Sequence, residues 1–158
     1  MSEQAETIVI VDDEDMVLTS LNAYLTLETD YVVETFSSAT KALEFIGSNP
    51  IDLVISDYLM PEMNGISFLA KVKAIQPDAP RIILTGYADK ENAIKGINEV
   101  GLYQYIEKPW DNDDLRLVIR NALEKKLLVS KLQDKISEIN RAYGDLQTIQ
   151  QEILKTFV

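Results

Sequence analysis

Neither cysteine nor histidine occurs in this sequence, and both absences are restrictive. Without cysteine there is no disulfide scaffold, no thiolate nucleophile and no zinc–thiolate site. Without histidine there is no Ser-His-Asp triad and no histidine-bound metal, so any phosphohistidine chemistry has to come from a partner. No apolar run reaches the roughly 18 residues that signal a membrane-spanning helix. The opening Met1-Ser-Glu-Gln-Ala-Glu6 is acidic where a secretory signal is basic and then apolar, which predicts a cytoplasmic protein.

Basic residues are also in short supply, 15 against 26 acidic ones, for a net charge of −11. From Lys125 onward the balance reverses, with six basic residues (Lys125, Lys126, Lys131, Lys135, Arg141, Lys155) against four acidic (Asp134, Glu138, Asp145, Glu152). The negative excess therefore lies upstream. Such a surface repels nucleic acid and anionic membranes, so direct contact with either is not expected. At 158 residues and 46% hydrophobic, the chain suffices for one sizeable core plus an appendage.

Apolar strand-like runs alternate with amphipathic segments five times. Thr7–Val11 precedes a helix over Val17–Glu28, and Val32–Phe36 precedes one over Thr40–Ile46. Leu53–Ser56 leads to Ile66–Ile75, Arg81–Thr85 to Lys90–Val100, and Tyr103–Glu107 to a helix from Asp113 onward. Ser37 or Ser38 suits the cap of the second helix, Pro50 and Pro77 follow helix ends, and Asp111 or Asn112 suits the cap of the last. This alternation predicts an α/β fold: a doubly wound parallel sheet with helices on both faces and its site beyond the carboxyl ends of the strands.

Asp12, Asp13, Asp57, Thr85 and Lys108 all fall at or just past predicted strand ends. Singly each has a bland explanation: Asp12 as a helix cap, Asp57 as a turn residue, Thr85 as a strand end, Lys108 as a surface cation. Together they are hard to explain as loop chemistry. Three carboxylates on one rim raise one another's pKa unless a divalent cation or Lys108 offsets them, and a hard, oxygen-seeking Mg²⁺ fits best, with Mn²⁺ the alternative. Pro109 stiffens the turn that aims the Lys108 ammonium.

Residues 1–124 resemble the receiver domain of two-component response regulators. The resemblance is carried by Asp12-Asp13, by Asp57-Tyr58-Leu59-Met60-Pro61-Glu62-Met63-Asn64-Gly65, by Thr85-Gly86 and by Tyr105-Ile106-Glu107-Lys108-Pro109, in that order. It implies a flavodoxin-like five-stranded sheet in the order 2-1-3-4-5, with Asp57 as phosphoacceptor. It further implies Mg²⁺ held by Asp13, Asp57 and the backbone carbonyl of Leu59, with Asp12 holding a bound water. Lys108 and Thr85 then stabilise the charge that spreads during transfer from a sensor histidine kinase or phosphotransfer protein. Catalysis is expected to extend only to the chain's own phosphorylation and dephosphorylation, not to other substrates.

The resemblance also implies a switch, in which phosphorylation draws Thr85 inward and lets Tyr105 swing, remodelling the face made by the fourth helix, fifth strand and fifth helix. Period-two alternation places Tyr103 on the same side of the strand as Tyr105. Leu59 and Tyr87, each two residues beyond Asp57 and Thr85, flank the route of water to the acyl phosphate. Neither carries a carboxylate or amide to orient that water, which predicts slow self-dephosphorylation.

Residues 125–158 read as a helical extension. From Val129 a heptad runs with Val129, Ile136, Tyr143, Gln150 and Phe157 at a, and Leu132, Ile139, Leu146 and Ile153 at d. A parallel homodimer through residues 129–157 is expected, weakened by Gly144, by the amide of Gln150 and by the scarcity of charge at e and g. The pattern reaches Val158 without a stop signal, so the chain reads either as a dimeric single-domain regulator or as receiver plus linker of a longer protein with its effector domain downstream. Lys108-Pro109-Trp110-Asp111 resembles receivers joined to cyclic-dinucleotide or phosphatase outputs.

Two competing classes fit less well. A haloacid dehalogenase-like phosphatase finds its DxD spacing in Asp13-Glu14-Asp15, but Val17 stands where a small hydroxyl residue is expected and Asp57 is left without a role. A pseudo-receiver serving only for dimerisation does not need the complete acidic set. No Gly-rich loop follows Val11, which disfavours a nucleotide-binding Rossmann or P-loop protein.

Overall fold

The computed structural model describes residues 5–156, Tyr87 by its backbone alone. Strands β1 (Thr7–Val11), β2 (Val32–Phe36), β3 (Leu53–Asp57), β4 (Arg81–Thr85) and β5 (Gln104–Glu107) form one sheet in the order β2-β1-β3-β4-β5. Every pairing is parallel. Helices α1 (Asp15–Glu28), α2 (Ala39–Ser48), α3 (Gly65–Ile75), α4 (Lys90–Val100) and α5 (Asn112–Thr156) alternate with the strands. A short 3₁₀ turn, Tyr87–Asp89, precedes α4. This is the flavodoxin-like arrangement.

Strands buried on both faces need apolar residues in unbroken runs, and β1, β3 and β4 supply them. On one face Val9, Val11, Val54 and Ile83 pack with Phe68, Leu69 and Val72 of α3, Ala42 and Ile46 of α2, and Ala93 and Val100 of α4. On the other, Ile8, Ile10, Ile55 and Leu84 meet Leu18, Leu21 and Leu25 of α1 and Leu115, Ile119 and Ala122 of α5. Local signals set the helix ends. Ser38 caps α2 by accepting from the Lys41 N–H, Asn64 caps α3 by accepting from Ser67, and Asp111 accepts from Asp113 and Asp114 at the start of α5. At the C-cap of α4, Gly101 adopts φ +70°, a conformation that disfavours side-chain-bearing residues.

One expectation is corrected. Tyr105 packs with the α2–α3–α4 cluster, whereas Tyr103 packs with the α1–α5 cluster on the opposite face. The strand starts at Gln104, so Tyr103 precedes the pleat and the alternation does not extend to it.

The chain divides into two compact units, the first ending at Leu123 and the second beginning at Glu124. The second is helical through Thr156, and all its described residues from Ser130 onward are exposed. Phe157, the last a position of the heptad, lies outside the described residues. Among the described residues no helix is long and apolar enough to cross a membrane.

Candidate functional site at the carboxyl edge of the sheet

The register of the sheet brings the strand ends level. Val11 stands opposite Ser56, Asp57 opposite Leu84, and Thr85 opposite Glu107. Asp12 and Asp13 therefore emerge beside Asp57, and Lys108 follows the adjoining end of β5. Backbone bonds fix these exits: Asp12 N–H donates to the Phe36 carbonyl at 3.2 Å, Tyr58 N–H to Leu84 at 2.9 Å, and Lys108 N–H to Thr85 at 2.9 Å. The Lys108–Pro109 peptide bond is cis.

The side chains converge. Carboxylate oxygens of Asp12, Asp13 and Asp57 lie within 4.8 Å of one another, with Asp12 and Asp57 buried and Asp13 exposed. The Lys108 ammonium is 3.0 Å from Asp57 Oδ1 and 3.6 Å from Asp12 Oδ2. Asp12 spends its Oδ1 on the Glu14 N–H at 2.9 Å, in an Asx-type turn ahead of α1, while its buried Oδ2 has no hydrogen-bond partner. Asp57 Oδ1 also accepts from its neighbour Tyr58 at 2.9 Å.

Burial dominates the electrostatics. It lifts the Asp12 carboxyl to about 6, with the negative charges of Asp57 and Asp13 adding to the effect and the Glu14 bond and Lys108 opposing it. Burial likewise raises Asp57 against the hydrogen bond and charge of Lys108. For Lys108 burial works downward, but its hydrogen bond to Asp57 and the charges of Asp12, Asp57 and Glu14 together outweigh it and hold the ammonium above its ordinary value. A buried carboxylate oxygen without a donor, inside a trio of hard oxygen ligands, suits a divalent cation such as Mg²⁺.

Thr85 is fully buried, and its hydroxyl donates to the Gly86 carbonyl at 3.1 Å. Tyr105 is half-buried, with the Lys90 ammonium of α4 6.0 Å from its ring centre and 3.6 Å from Glu107. Leu59 is largely exposed on the loop after β3. The side chain of Tyr87 lies outside the described residues. Asp15, the second acid of the DxD spacing, opens α1 and is not part of the carboxylate trio.

Three residues near the site or its frame make contacts that no sequence pattern assigned to them. Glu62, in the loop after β3, accepts from the Ser38 hydroxyl at 2.7 Å and from the Thr40 hydroxyl, and these bonds hold its carboxyl below the usual range. Arg81 is buried at the start of β4 and donates to the carbonyls of Pro77, Ala79 and Gly101. Trp110 lines a cavity of about 460 Å³ with Glu14, Val17, Lys108, Pro109 and Asn112.

Fold and site define a doubly wound α/β protein whose carboxyl edge gathers an acidic, cation-ready cluster around one lysine. The response regulator receiver domain family matches residues 8–120, and the chain belongs to that family. It is similar to the hydrogenase transcriptional regulatory protein HoxA of Cupriavidus necator, 39% identical over 124 residues, which are 78% of this chain and 25% of the relative. The response regulator protein TmoT of Ectopseudomonas mendocina is 33% identical over 155 residues, 98% of this chain and 70% of that protein. The chain thus spans about a quarter of the length of HoxA. Among solved structures, the signal receiver domain of an HD domain-containing protein from Pseudomonas fluorescens superposes with a TM-score of 0.73 at 36% identity, covering 78% of this chain and 98% of that one. A structure described as adenylate cyclase from Rhodopirellula baltica gives a TM-score of 0.78 at 27% identity, covering 85% and 98%. Receiver domains bind Mg²⁺ through an acidic pocket, and membership implies phosphorylation-dependent signalling.

Proposed function

We propose that this chain is a phosphorylation-activated switch in which Asp57 accepts a phosphoryl group from the phosphohistidine of a sensor histidine kinase or phosphotransfer protein. The observation that carries this reading is the Lys108 ammonium 3.0 Å from Asp57 Oδ1, inside the trio of Asp12, Asp13 and Asp57. A carboxylate oxygen of Asp57 attacks phosphorus, the donor P–N bond breaks, and its electron pair remains on the leaving imidazole, which takes a proton from solvent. Lys108 and Thr85 meet the negative charge that spreads over the phosphoryl oxygens. Asp12, Asp13, Asp57 and the Leu59 carbonyl are the groups proposed to hold Mg²⁺ or Mn²⁺. The bound cation offsets the carboxylates and neutralises charge on the phosphoryl group. Beyond its own phosphorylation and dephosphorylation, the chain is proposed to catalyse nothing.

For output, Thr85 exchanges its bond to Gly86 for one to the phosphoryl group, and Tyr105 shifts into the space beside it. Lys90, which touches both Tyr105 and Glu107, carries the change to the start of α4. The signal passes to an effector, in the same longer protein or a separate one. The second unit is proposed to pair with its own copy in parallel. Every described a and d residue is uncharged, and Lys135, the charged residue at a g position, faces Asn140, so a symmetric pair sets no like charges against each other.

Incubation with Mg²⁺ and acetyl phosphate, followed by intact mass measurement, tests the reaction class. One phosphoryl group per chain is expected. Sustained turnover of a phosphate monoester by an unlabelled chain would favour the phosphatase class instead.

A further inference from the structure

The groups proposed to hold the cation come from two places in the chain: Asp12 and Asp13 from the loop after β1, and Asp57 with the Leu59 carbonyl from the end of β3 and the loop behind it. A cation gathers such ligands well only if the loops that carry them are already in register. The loop after β3 is fixed at its two ends. Tyr58 N–H donates to the Leu84 carbonyl and Gly65 N–H to the Tyr58 carbonyl, but no backbone–backbone hydrogen bond involves Leu59–Met63 among the described residues. Met60 and Met63 pack against the α2–α3–α4 cluster, and apolar packing of that kind is non-directional.

Direction comes from Glu62. Its carboxylate accepts from the Ser38 hydroxyl at 2.7 Å and from the Thr40 hydroxyl, both at the start of α2. Apart from a 3.9 Å approach of Ser56 Oγ to the Met60 sulfur, these are the hydrogen bonds that tie Leu59–Met63 to the rest of the described chain. Two features stiffen the tie. Pro61 fixes its own φ and restricts Met60 before it, so few soft dihedrals separate Leu59 from Glu62. Ser38 also accepts from the Lys41 N–H at 3.4 Å, which anchors the bonding hydroxyl to the first turn of α2. The same corner serves the other loop, since Asp12 N–H donates to the carbonyl of Phe36, at the end of the strand that leads into Ser38.

Resting on the reading of the Leu59 carbonyl as a cation ligand, we infer that Glu62 is a positioning residue: by gripping the N-terminus of α2 it registers the loop after β3 against the loop after β1, so that the Leu59 carbonyl and the pair Asp12 and Asp13 meet one cation. Glu62 and Thr40 are exposed and Ser38 is half-buried, and contacts so open to water add little to the stability of a fold. They still select one loop conformation. The effect then falls on cation affinity rather than on melting.

The test titrates the full chain with Mn²⁺, reading the free ion by electron paramagnetic resonance, and with Mg²⁺ by competition. Glu62→Ala should bind both ions roughly three- to tenfold more weakly, less than the tenfold or more lost when a group bonded directly to a ligand is removed, while melting in chelator close to the parent chain. Thr40→Val keeps the side-chain shape, removes one hydroxyl donor and leaves the Ser38 cap in place. It should weaken binding by less, and by nothing further once Glu62→Ala is present. Gln76→Ala is the control for general loosening, because Gln76 bonds the Ile46 and Asn49 carbonyls and the Ile51 N–H at the opposite end of α2. It should melt lower yet bind at parent affinity. Labelling of Glu62→Ala by acetyl phosphate should be slow at limiting Mg²⁺ and return to the parent rate at saturation. Parent affinity in Glu62→Ala overturns the inference and leaves the cation site standing, whereas a parent chain that binds neither ion removes the site and the inference together. Equal weakening by Gln76→Ala, additive losses from Thr40→Val and Glu62→Ala, or slow labelling that persists at saturating Mg²⁺ also overturns it.

Discussion

Asp12 has one carboxylate oxygen bonded to Glu14 and the other buried without a donor, and the consequence is measurable. A carboxyl raised from 3.8 to about 6 holds its proton more tightly in the folded than in the unfolded chain. Without metal, folding is therefore favoured on the acid side, and that advantage is lost as pH rises through the window from 3.8 to about 6. Such a shift corresponds to about 3 kcal/mol, and Asp57 moves in the same direction. Melting in a chelator should show stability falling across that window, Asp12→Asn should flatten the fall, and Mg²⁺ should restore stability at neutral pH. A flat profile for the unaltered metal-free chain would contradict this. Leu59→Asn with Tyr87→Glu supplies groups that orient water, so the phosphoryl lifetime, followed by decay of the labelled mass, should shorten. A lifetime equal to or longer than that of the parent chain would count against the assigned role. The strand-end residues were legible because carboxylates and a lysine interrupt apolar runs. Glu62 and Arg81 were not, because their partners, hydroxyls and backbone carbonyls remote in sequence, leave no pattern.

At the scale of elements, the loop after β3 is held by close packing. Gly65 N–H donates to the Tyr58 carbonyl at 2.7 Å, and a Cβ on Gly65 would overlap the backbone carbonyl of Asp57. Because that neighbour is backbone and cannot yield cheaply, Gly65→Ala should cost roughly 1–3 kcal/mol. It should also slow labelling of Asp57, as read by denaturant titration and by the rate of mass gain. Unchanged values for both would mean that the loop is more yielding than its packing indicates. The limits of β1, β2, β4 and α4 followed directly from hydrophobic pattern. α1 starts at Asp15, two residues before the apolar pattern announces it, because Glu14 offers no side-chain cap to mark the end. The 3₁₀ turn at Tyr87–Asp89 has no apolar period to betray it, and Tyr103 was misplaced because alternation holds only inside a strand.

At the scale of the molecule, charge and pairing separate. The negative excess lies before Lys125, whereas the second unit carries six basic and four acidic residues from that point along an exposed apolar stripe. Repulsion between two acidic units is screened beyond about 8 Å at physiological salt, so the proposed helix pair has only modest opposition to overcome. Leu132→Glu with Ile139→Glu should convert the dimer to a monomer in sedimentation experiments without loss of Asp57 labelling. A dimer that persists would place the interface elsewhere. The most direct test of the whole account is borohydride trapping of the acyl phosphate followed by peptide sequencing in the mass spectrometer. With Mg²⁺ and a phosphoryl donor, the account predicts modification at Asp57 alone, strongly reduced by Lys108→Ala and absent in chelator. Modification at another residue, or equal labelling of Asp57→Ala, would contradict it.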